Sequence, residues 1–293
     1  MDLNEQQCLE TGTPDLFSVE DPEDRRAFVR CVVGYYLHGK RPMPWRDEIT
    51  PYRVVVSEMM LQQTQVPRVL EKFPEFVARF PDFSTLSKAS LAEVLGAWQG
   101  LGYNRRAKYL HTLAGTVMEK WDGMLPRDYA DLITLPGIGA ATAGSIAAFA
   151  YNAPVVFIET NIRRVFIHHF FPVGCVVSDS DILPLIEMTL DQDNPRDWYY
   201  ALMDYGTWLA RRIQNPNRRS KHYTRQSRFE GSDRQIRGAI LRHLITEKMS
   251  PPDIIIDAIG ADQARVAKII MKMIQEGLVS ESAGVIRIAE KKE

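Results

Sequence analysis

Apolar residues recur at three- and four-residue intervals along most of this chain, and strict alternation is confined to its last stretch. From Asp24 to Gly39, Phe28, Cys31, Val32, Tyr35 and Tyr36 mark one face of a helix. Residues 40–51 break the pattern with Pro42, Pro44 and Trp45, which predicts a loop. Helical spacing then predicts elements over 52–65, 67–79, 84–87, 91–98, 104–121, 127–133 and 140–150, followed by 159–171, 179–190 and 195–213. Strand signals are nearly absent through residue 230, so the pattern predicts an all-α body of packed helices with short connections. Residues 1–22 are acidic and aperiodic, the signature of a disordered segment, and Asp15-Leu16-Phe17 within them has the form of a short docking peptide.

The C-terminal stretch has a different pattern. Helical faces are predicted over 233–246, with Ile236, Ile240 and Leu244, over 251–259, and over 261–276, with Val266, Ile269, Ile270 and Met273. Two short alternating runs around Ser282-Ala283-Gly284 then signal a hairpin within 277–288. Three helices and a hairpin resemble a winged helix-turn-helix module. Its third helix exposes Gln263, Arg265, Lys268 and Lys272 as candidate groove readers. The same shape also serves protein contacts, and the two uses stay open.

Composition sets outer bounds. The 293 residues are 45% hydrophobic and 25% charged, ordinary globular values with room for two or three small domains. No apolar run is long enough to span a membrane, and the N-terminus has no basic-then-apolar signal pattern. The three cysteines, Cys8, Cys31 and Cys175, lie far apart, which predicts neither a disulfide framework nor a metal site and fits a reducing cytoplasm. A cytoplasmic, nucleoid-associated protein is the expectation if the source is prokaryotic. Net charge is −1, but Arg211, Arg212, Arg218, Arg219, Lys221, Arg225 and Arg228 follow one another without an intervening acid. Such a stripe is either the footprint of polyanion binding or a solvated linker.

Two segments carry candidate chemistry. Leu135-Pro136-Gly137-Ile138-Gly139-Ala140-Ala141 predicts a turn opening into a small-residue helix, with backbone N–H groups aimed outward. Orphan donors and the helix dipole both favour an anion there, so the turn can hold one phosphate. Glu159 follows Ala141 by eighteen positions, at the predicted start of a neighbouring helix that continues through Asn161. The second segment runs from Arg53 to Val66. On a helix, Glu58, Gln62 and Gln65 share one face while Val55, Met59 and Leu61 turn inward. That face is either a solvent stripe or one wall of a cleft. In a cleft, desolvation would raise the pKa of Glu58 and suit it to general-acid work.

Pro44-Trp45, Thr50-Pro51-Tyr52, Ser57-Glu58-x-Met60-Leu61-Gln62-Gln63-Thr64-Gln65-Val66, Gly100-Leu101-Gly102-Tyr103 and Leu135-Pro136-Gly137-Ile138-Gly139-x-x-Thr142-Ala143-Gly144 together resemble the MutY-type adenine DNA glycosylases of the helix-hairpin-helix (HhH-GPD) base-excision superfamily, in order across residues 24–210. The resemblance implies two helical lobes with the active site between them: 23–51 plus 156–229 with the basic stripe, and 52–155 with the helix-hairpin-helix. Residues 1–22 and 230–293 flank these lobes. It implies an enzyme that flips a nucleotide from double-stranded DNA and cuts its N-glycosidic bond. Glu58 falls on the catalytic Glu that protonates adenine N7, and Glu159 on the catalytic Asp that stabilises the developing oxocarbenium cation. Gln63 and Tyr103 fall on residues that enter the duplex near the opposing base. Ala141 falls where bifunctional relatives carry a Schiff-base Lys, so no β-lyase step is expected.

The chain departs from the pattern at four places. Glu stands for Asp at 159, and Asn104 replaces a usual Tyr. The four cysteines after the helical body are missing: Ala210 falls at the first, and 215–229 contain none. No iron–sulfur cluster is therefore expected, and no cofactor is required; the hairpin 135–139 leaves room for a monovalent cation. The winged-helix-like module stands where the family has a Nudix-like domain. Expected partners are damaged or mispaired duplex DNA, contacted by Gln62, Gln63, Tyr103, Leu135, Gly137, Ile138, Gly139, Ala141, Asn161, Arg218, Arg219 and Lys221, and a docking protein for 1–22 or 230–293. No membrane partner is expected, and the chain should be a monomer. Two rivals stand beside this reading: the same scaffold acting on uracil or thymine opposite guanine, and a catalytically silent DNA-binding adaptor.

Overall fold

The computed structural model describes residues 16–226 and 228–290. They form α1 (Pro22–Gly39), α2 (Pro44–Asp47), α3 (Pro51–Leu61), α4 (Val66–Arg79), α5 (Phe83–Lys88), α6 (Leu91–Ala97), α7 (Arg105–Trp121), α8 (Tyr129–Leu132), α9 (Ala140–Tyr151), α10 (Thr160–Phe170), α11 (Asp179–Thr189) and α12 (Pro195–Leu209). After a 3-10 turn at Pro216–Arg219 come α13 (Asp233–Glu247), β1 (Met249–Ser250), α14 (Pro252–Ile259), α15 (Gln263–Gln275), β2 (Val279–Ser282) and β3 (Val285–Ile288). The body is helical, as the periodicity predicts.

The chain divides into two compact units. One comprises Met1–Ile49 with Gly139–Arg225, the other Thr50–Ile138 with Gln226–Glu293. The boundary thus falls at 138/139 rather than the expected 155/156, and α9 belongs to the first unit. The reason lies in its composition. α9 is apolar nearly all round and buries Ala143, Ile146, Ala147, Ala148 and Phe149. Its Gly144 lies so close to Phe157 that a Cβ would sit 2.5 Å from the Phe157 Cβ, and Phe149 stacks on Tyr200 of α12. A helix without a polar face has to be covered by its neighbours.

In the first unit, α12 packs against α1 and α10. Phe28, Phe166, Tyr199 and Tyr205 fill the space between them, all fully buried. The expectation of disorder fails for 16–22. Phe17 donates its N–H to the His169 carbonyl at 2.9 Å and stacks on the His169 ring, so Leu16-Phe17 is fastened to its own unit. Asp15 and the residues before it lie outside the described residues. The segment 40–47, expected as a loop, carries the short helix α2 and is held by a charge. Asp204, with no exposed surface, accepts from Arg41 Nε at 2.7 Å and from both terminal nitrogens of Arg46 at 2.9 and 3.0 Å. Arg46 also lies over the Tyr200 ring at 4.2 Å.

In the second unit, α7 is the central helix, packed on α3, α5 and α6. Trp98, Phe73, Phe76 and Leu110 are fully buried there. The C-terminal module clusters with this unit, α13 lying against α6. Its sheet has the order β1-β3-β2, all antiparallel, and Ala283 and Gly284 turn the hairpin with φ of 51° and 76°. Two positive-φ residues in a tight turn match the twist of the strands. The helix–strand–helix–helix–hairpin order is that of a winged helix. β1 is a two-residue strand with no alternating signal of its own.

Replacing Asp204 with Ala would leave the Arg41 and Arg46 guanidinium groups without the buried carboxylate that pairs them. We expect a loss of about 3–5 kcal/mol in unfolding free energy, read from urea denaturation. A midpoint equal to wild type would show that Asp204 does not hold this loop.

Candidate active site

Glu58 sits on α3, whose interior is apolar: Val54, Val55, Val56, Ser57, Met59 and Met60 are buried and Glu58 is half-buried. The helix stops sooner than the expected residue 65. It ends at Leu61, Gln62 closes it by donating its N–H to the Glu58 carbonyl at 3.3 Å, and Gln63 follows with φ 55°. Gln65 is the N-cap of α4 and does not share the face of Glu58 and Gln62. The cause is Arg106, a buried side chain that the sequence reading passed over. Its Nη1 donates to the carbonyls of Met59, Met60 and Gln62 at 2.7, 2.8 and 2.5 Å. Its Nη2 donates to Thr64 Oγ1 at 2.8 Å and to the carbonyls of Leu101 and Gly102 at 3.1 Å each. One guanidinium thus takes the orphan carbonyls at the end of α3 and the turn before α7. Burial lowers its pKa to about 10, still far above neutrality, so it stays charged.

This clamp fixes two neighbouring residues, exposed Gln63 and half-buried Tyr103. Gln63 and Tyr103 are both non-glycine residues with left-handed backbone, at φ 55° and 47°. Such conformations store strain and persist only when their surroundings enforce them. Both line a cavity of about 380 Å³ that also takes in Gln62, Arg105 and Arg106. Gly137 reaches the same cavity. Its φ is 79°, and a Cβ there would lie 2.7 Å from the Tyr109 Cβ, so both backbone and space require glycine. The rest of the turn is anchored by buried Leu135 and Ile138, the Ile138 N–H closing it on the Leu135 carbonyl at 3.1 Å. Gly139 then starts α9 with no side-chain cap, and Ala141 is exposed in its first turn.

Glu159 lies in the first unit as the N-cap of α10. Its carboxylate accepts from the Asn161 and Ile162 N–H groups at 2.6 and 2.8 Å, and from Asn161 Nδ2 at 3.3 Å. Burial raises its pKa, opposed by those backbone donors and by Arg164 and Arg163. Arg164 steadies the group by donating to Asn161 Oδ1 at 2.6 Å and to the Gly206 carbonyl at 2.8 Å. Gly206 allows this approach: a Cβ would lie 2.7 Å from the Asn161 carbonyl oxygen. Asn161 is therefore tied to Glu159 on one side and to Arg164 on the other.

The basic stripe is not uniform. Arg218, Lys221 and Arg225 are exposed, as a phosphate contact requires. Arg219 is engaged elsewhere: it donates to the carbonyls of Ile167 at 2.8 Å, Phe171 at 3.0 Å and Pro172 at 2.5 Å, closing the C-terminal end of α10. The same segment is pinned by Asn217 Nδ2 on the Thr160 carbonyl at 3.0 Å and by a parallel bridge between Val177 and Ser220. A four-thiolate cluster does not fit the residues present. The chain has three cysteines; of the two described, Cys31 is buried with its thiol 3.6 Å from the Tyr205 hydroxyl, and Cys175 is exposed. In the C-terminal module, Lys268 and Lys272 are exposed, but Arg265 is bound to Asp233 and to the Gly231 carbonyl. No helix among the described residues is long and apolar enough to cross a membrane.

Residues 56–174 match the model of the HhH-GPD superfamily of base excision DNA repair proteins. The chain is 33% identical over 270 residues to a Mycolicibacterium smegmatis protein named adenine DNA glycosylase, covering 86% of this chain and 92% of that one. It is 34% identical over 236 residues to the Mycobacterium tuberculosis H37Rv protein of the same name, covering 72% and 76%. Among solved structures it resembles a thermostable thymine-DNA glycosylase, with a TM-score of 0.56 at 23% identity over 62% of this chain and 85% of that one. An endonuclease III–DNA covalent intermediate gives the same TM-score at 16% identity, over 64% and 86%. The chain belongs to the HhH-GPD superfamily of base excision DNA repair proteins.

Arg106→Lys keeps the charge but loses the planar fork that spans six acceptors. We expect a loss on the order of 2–3 kcal/mol in unfolding free energy, since several buried carbonyls lose their donors. Chemical denaturation reads it directly, and an unchanged midpoint would refute the clamp.

Proposed function

We infer that this chain hydrolyses the N-glycosidic bond of adenine in a mispair and leaves an abasic site. The curated relatives at 33–34% identity carry the name adenine DNA glycosylase. The observation that carries the reading is the pair of carboxyl groups in distinct settings: Glu58 on a clamped apolar helix, and Glu159 held by backbone donors at a helix start. In the proposed reaction Glu58 gives its proton to adenine N7. The C1′–N9 bond then breaks, with its electron pair leaving on the base. The Glu159 carboxylate stabilises the cationic sugar that forms, and water adds to C1′, giving up the proton that restores the Glu58 acid. N7 protonation is purine chemistry, which sets uracil and thymine aside.

Ala141 offers no amine, so the strand stays intact at the abasic site. The turn at 135–139 takes a backbone phosphate, directly or through a monovalent cation. Arg218, Lys221 and Arg225 supply further phosphate contacts, whereas Arg219 serves the fold. The enzyme works as a monomer without an iron–sulfur cluster.

Glu58→Gln keeps size and hydrogen bonding but has no acid proton. Single-turnover adenine release should be abolished while binding to the mispaired duplex stays near wild type; near-normal release would refute the role. In the wild type, alkali should be needed for strand cleavage, and a borohydride-trapped adduct would contradict the monofunctional reading.

Glu159 sets a pH dependence. Its carboxylate is the working form, and burial raises its pKa, so activity should rise with pH through a value above the ordinary glutamate range. The acid limb of the single-turnover rate measures it, and a limb at or below the ordinary range would contradict this role.

A further inference from the structure

The winged-helix module is docked on α7 through one end of its third helix. Glu276, the C-cap of α15, pairs with Arg237, and its other carboxylate oxygen lies 3.7 Å from Arg105. Lys108 of α7 donates to the Glu276 carbonyl, and Arg234 of α13 donates to the Tyr103 hydroxyl at 2.7 Å. Glu276 also lines the cavity that takes in Gln62 and Gln63, just past the end of α3. The C-terminal end of α15 is thereby fixed beside the helix that carries Glu58.

Four-residue spacing places Lys268, Lys272 and Glu276 in one stripe along α15. The stripe starts at the cavity and runs away from it, with Lys272 about 6 Å and Lys268 about 12 Å from Glu276 along the helix axis. Both lysines are exposed, and Ala264, Met271 and Gln275 share their face. From Gln263 to Gln275 the helix has three cations and no acid. Acids gather on its neighbour instead: Asp253 and Asp257 of α14 are exposed. The module is two-faced in charge, so a polyanion is drawn to α15 and repelled by α14.

The same helix is poorly equipped to read bases. A groove-reading helix puts its N-terminal side chains on base edges. Here Ala264 has no polar group, and Arg265 is already held by Asp233 and the Gly231 carbonyl, which leaves only Gln263 at that end. The wing turns through Ser282, Ala283 and Gly284, which bring no cation to a minor groove. What remains is a pair of lysines in mid-helix. A lysine is a flexible point charge, suited to phosphate rather than to a bidentate base contact.

We propose that the exposed face of α15, through Lys268 and Lys272, grips the phosphate backbone of the duplex flanking the extracted base, without reading its sequence. This rests on the reading that the chain acts on a base in duplex DNA: a duplex that delivers a base to Glu58 passes the cavity, and the strand leaving it follows the stripe. The winged-helix module then lengthens the DNA footprint on one side of the lesion.

The test compares the full-length chain with a Lys268→Ala/Lys272→Ala double variant, in which alanine preserves the helix. Affinity for an undamaged duplex is measured across a salt series. The double variant should bind more weakly, and its slope of log K against log salt should be shallower by about 1.8, about 0.9 for each lost contact. The wild-type advantage should therefore shrink about tenfold between about 50 and 200 mM salt. In duplexes with a central adenine mispair, cutting back one flank should weaken wild type and leave the double variant unaffected. Cutting back the other flank should affect both alike. An unchanged slope would overturn the proposal and leave α15 as a surface for protein. A loss that depends on flank sequence would overturn it too, since it would mark base reading, as would equal sensitivity of the two proteins to both flanks. Binding needs no catalysis: wild-type protein that releases no base from any mispair would refute the function proposed above, and the salt slope would still decide this grip.

Discussion

The buried guanidinium of Arg106 holds together the end of α3, the reversal after it and the turn before α7. Placing a charge among Met59, Met60 and Leu101 carries a desolvation cost, which its pKa of about 10 reflects. Six acceptors offset it. The result is a helix stopped at Leu61, a chain reversal through Gln63 and a turn through Tyr103, all fixed by one group. Without that group the last carbonyls of α3 would be buried without donors, and the left-handed backbone at Gln63 and Tyr103 would have nothing to enforce it.

The first unit solves a similar problem with different parts. Arg164 bridges Asn161 and the Gly206 carbonyl, and Asn161 in turn holds Glu159. Glycine at 206 lets α12 approach the start of α10 closely enough for this to work. Arg219 closes the other end of α10. The carboxylate is thus fixed by a helix whose two ends are both satisfied by side chains. In the segment where the family pattern has cluster cysteines, Asn217, Arg219 and Ser220 do the fastening by hydrogen bonds alone.

Much of this was legible in the sequence because it is local. Apart from α2, which lies in the segment read as a loop, the helices from α1 to α12 follow from apolar periodicity, and the hairpin from alternation around Ala283-Gly284. Glu159 at a helix start is readable because capping is a short-range effect. What escaped the sequence is non-local. The early end of α3 depends on an arginine more than forty residues away, and nothing in 58–65 announces it. Arg106 itself follows Gly100-Leu101-Gly102-Tyr103, but the second of two adjacent arginines at a helix start gives no sign of burial. Arg219 reads as one more cation in a basic run until the carbonyls of α10 are seen beside it. The placement of α9 was misread because a helix apolar on every side does not say which neighbour covers it. The link between α13 and Tyr103 depends on tertiary packing that no motif encodes.

The central claim is that two differently held carboxyl groups make this chain a purine-releasing glycosylase that needs no metal cluster. It is tested most directly by identifying the base set free. Full-length protein, purified with chelator and shown to be iron-free, would be incubated in excess over duplexes carrying adenine, uracil or thymine in mispairs, and the free base analysed by mass spectrometry. The account predicts adenine alone. Release of uracil or thymine, or activity that appears only with iron bound, would contradict it.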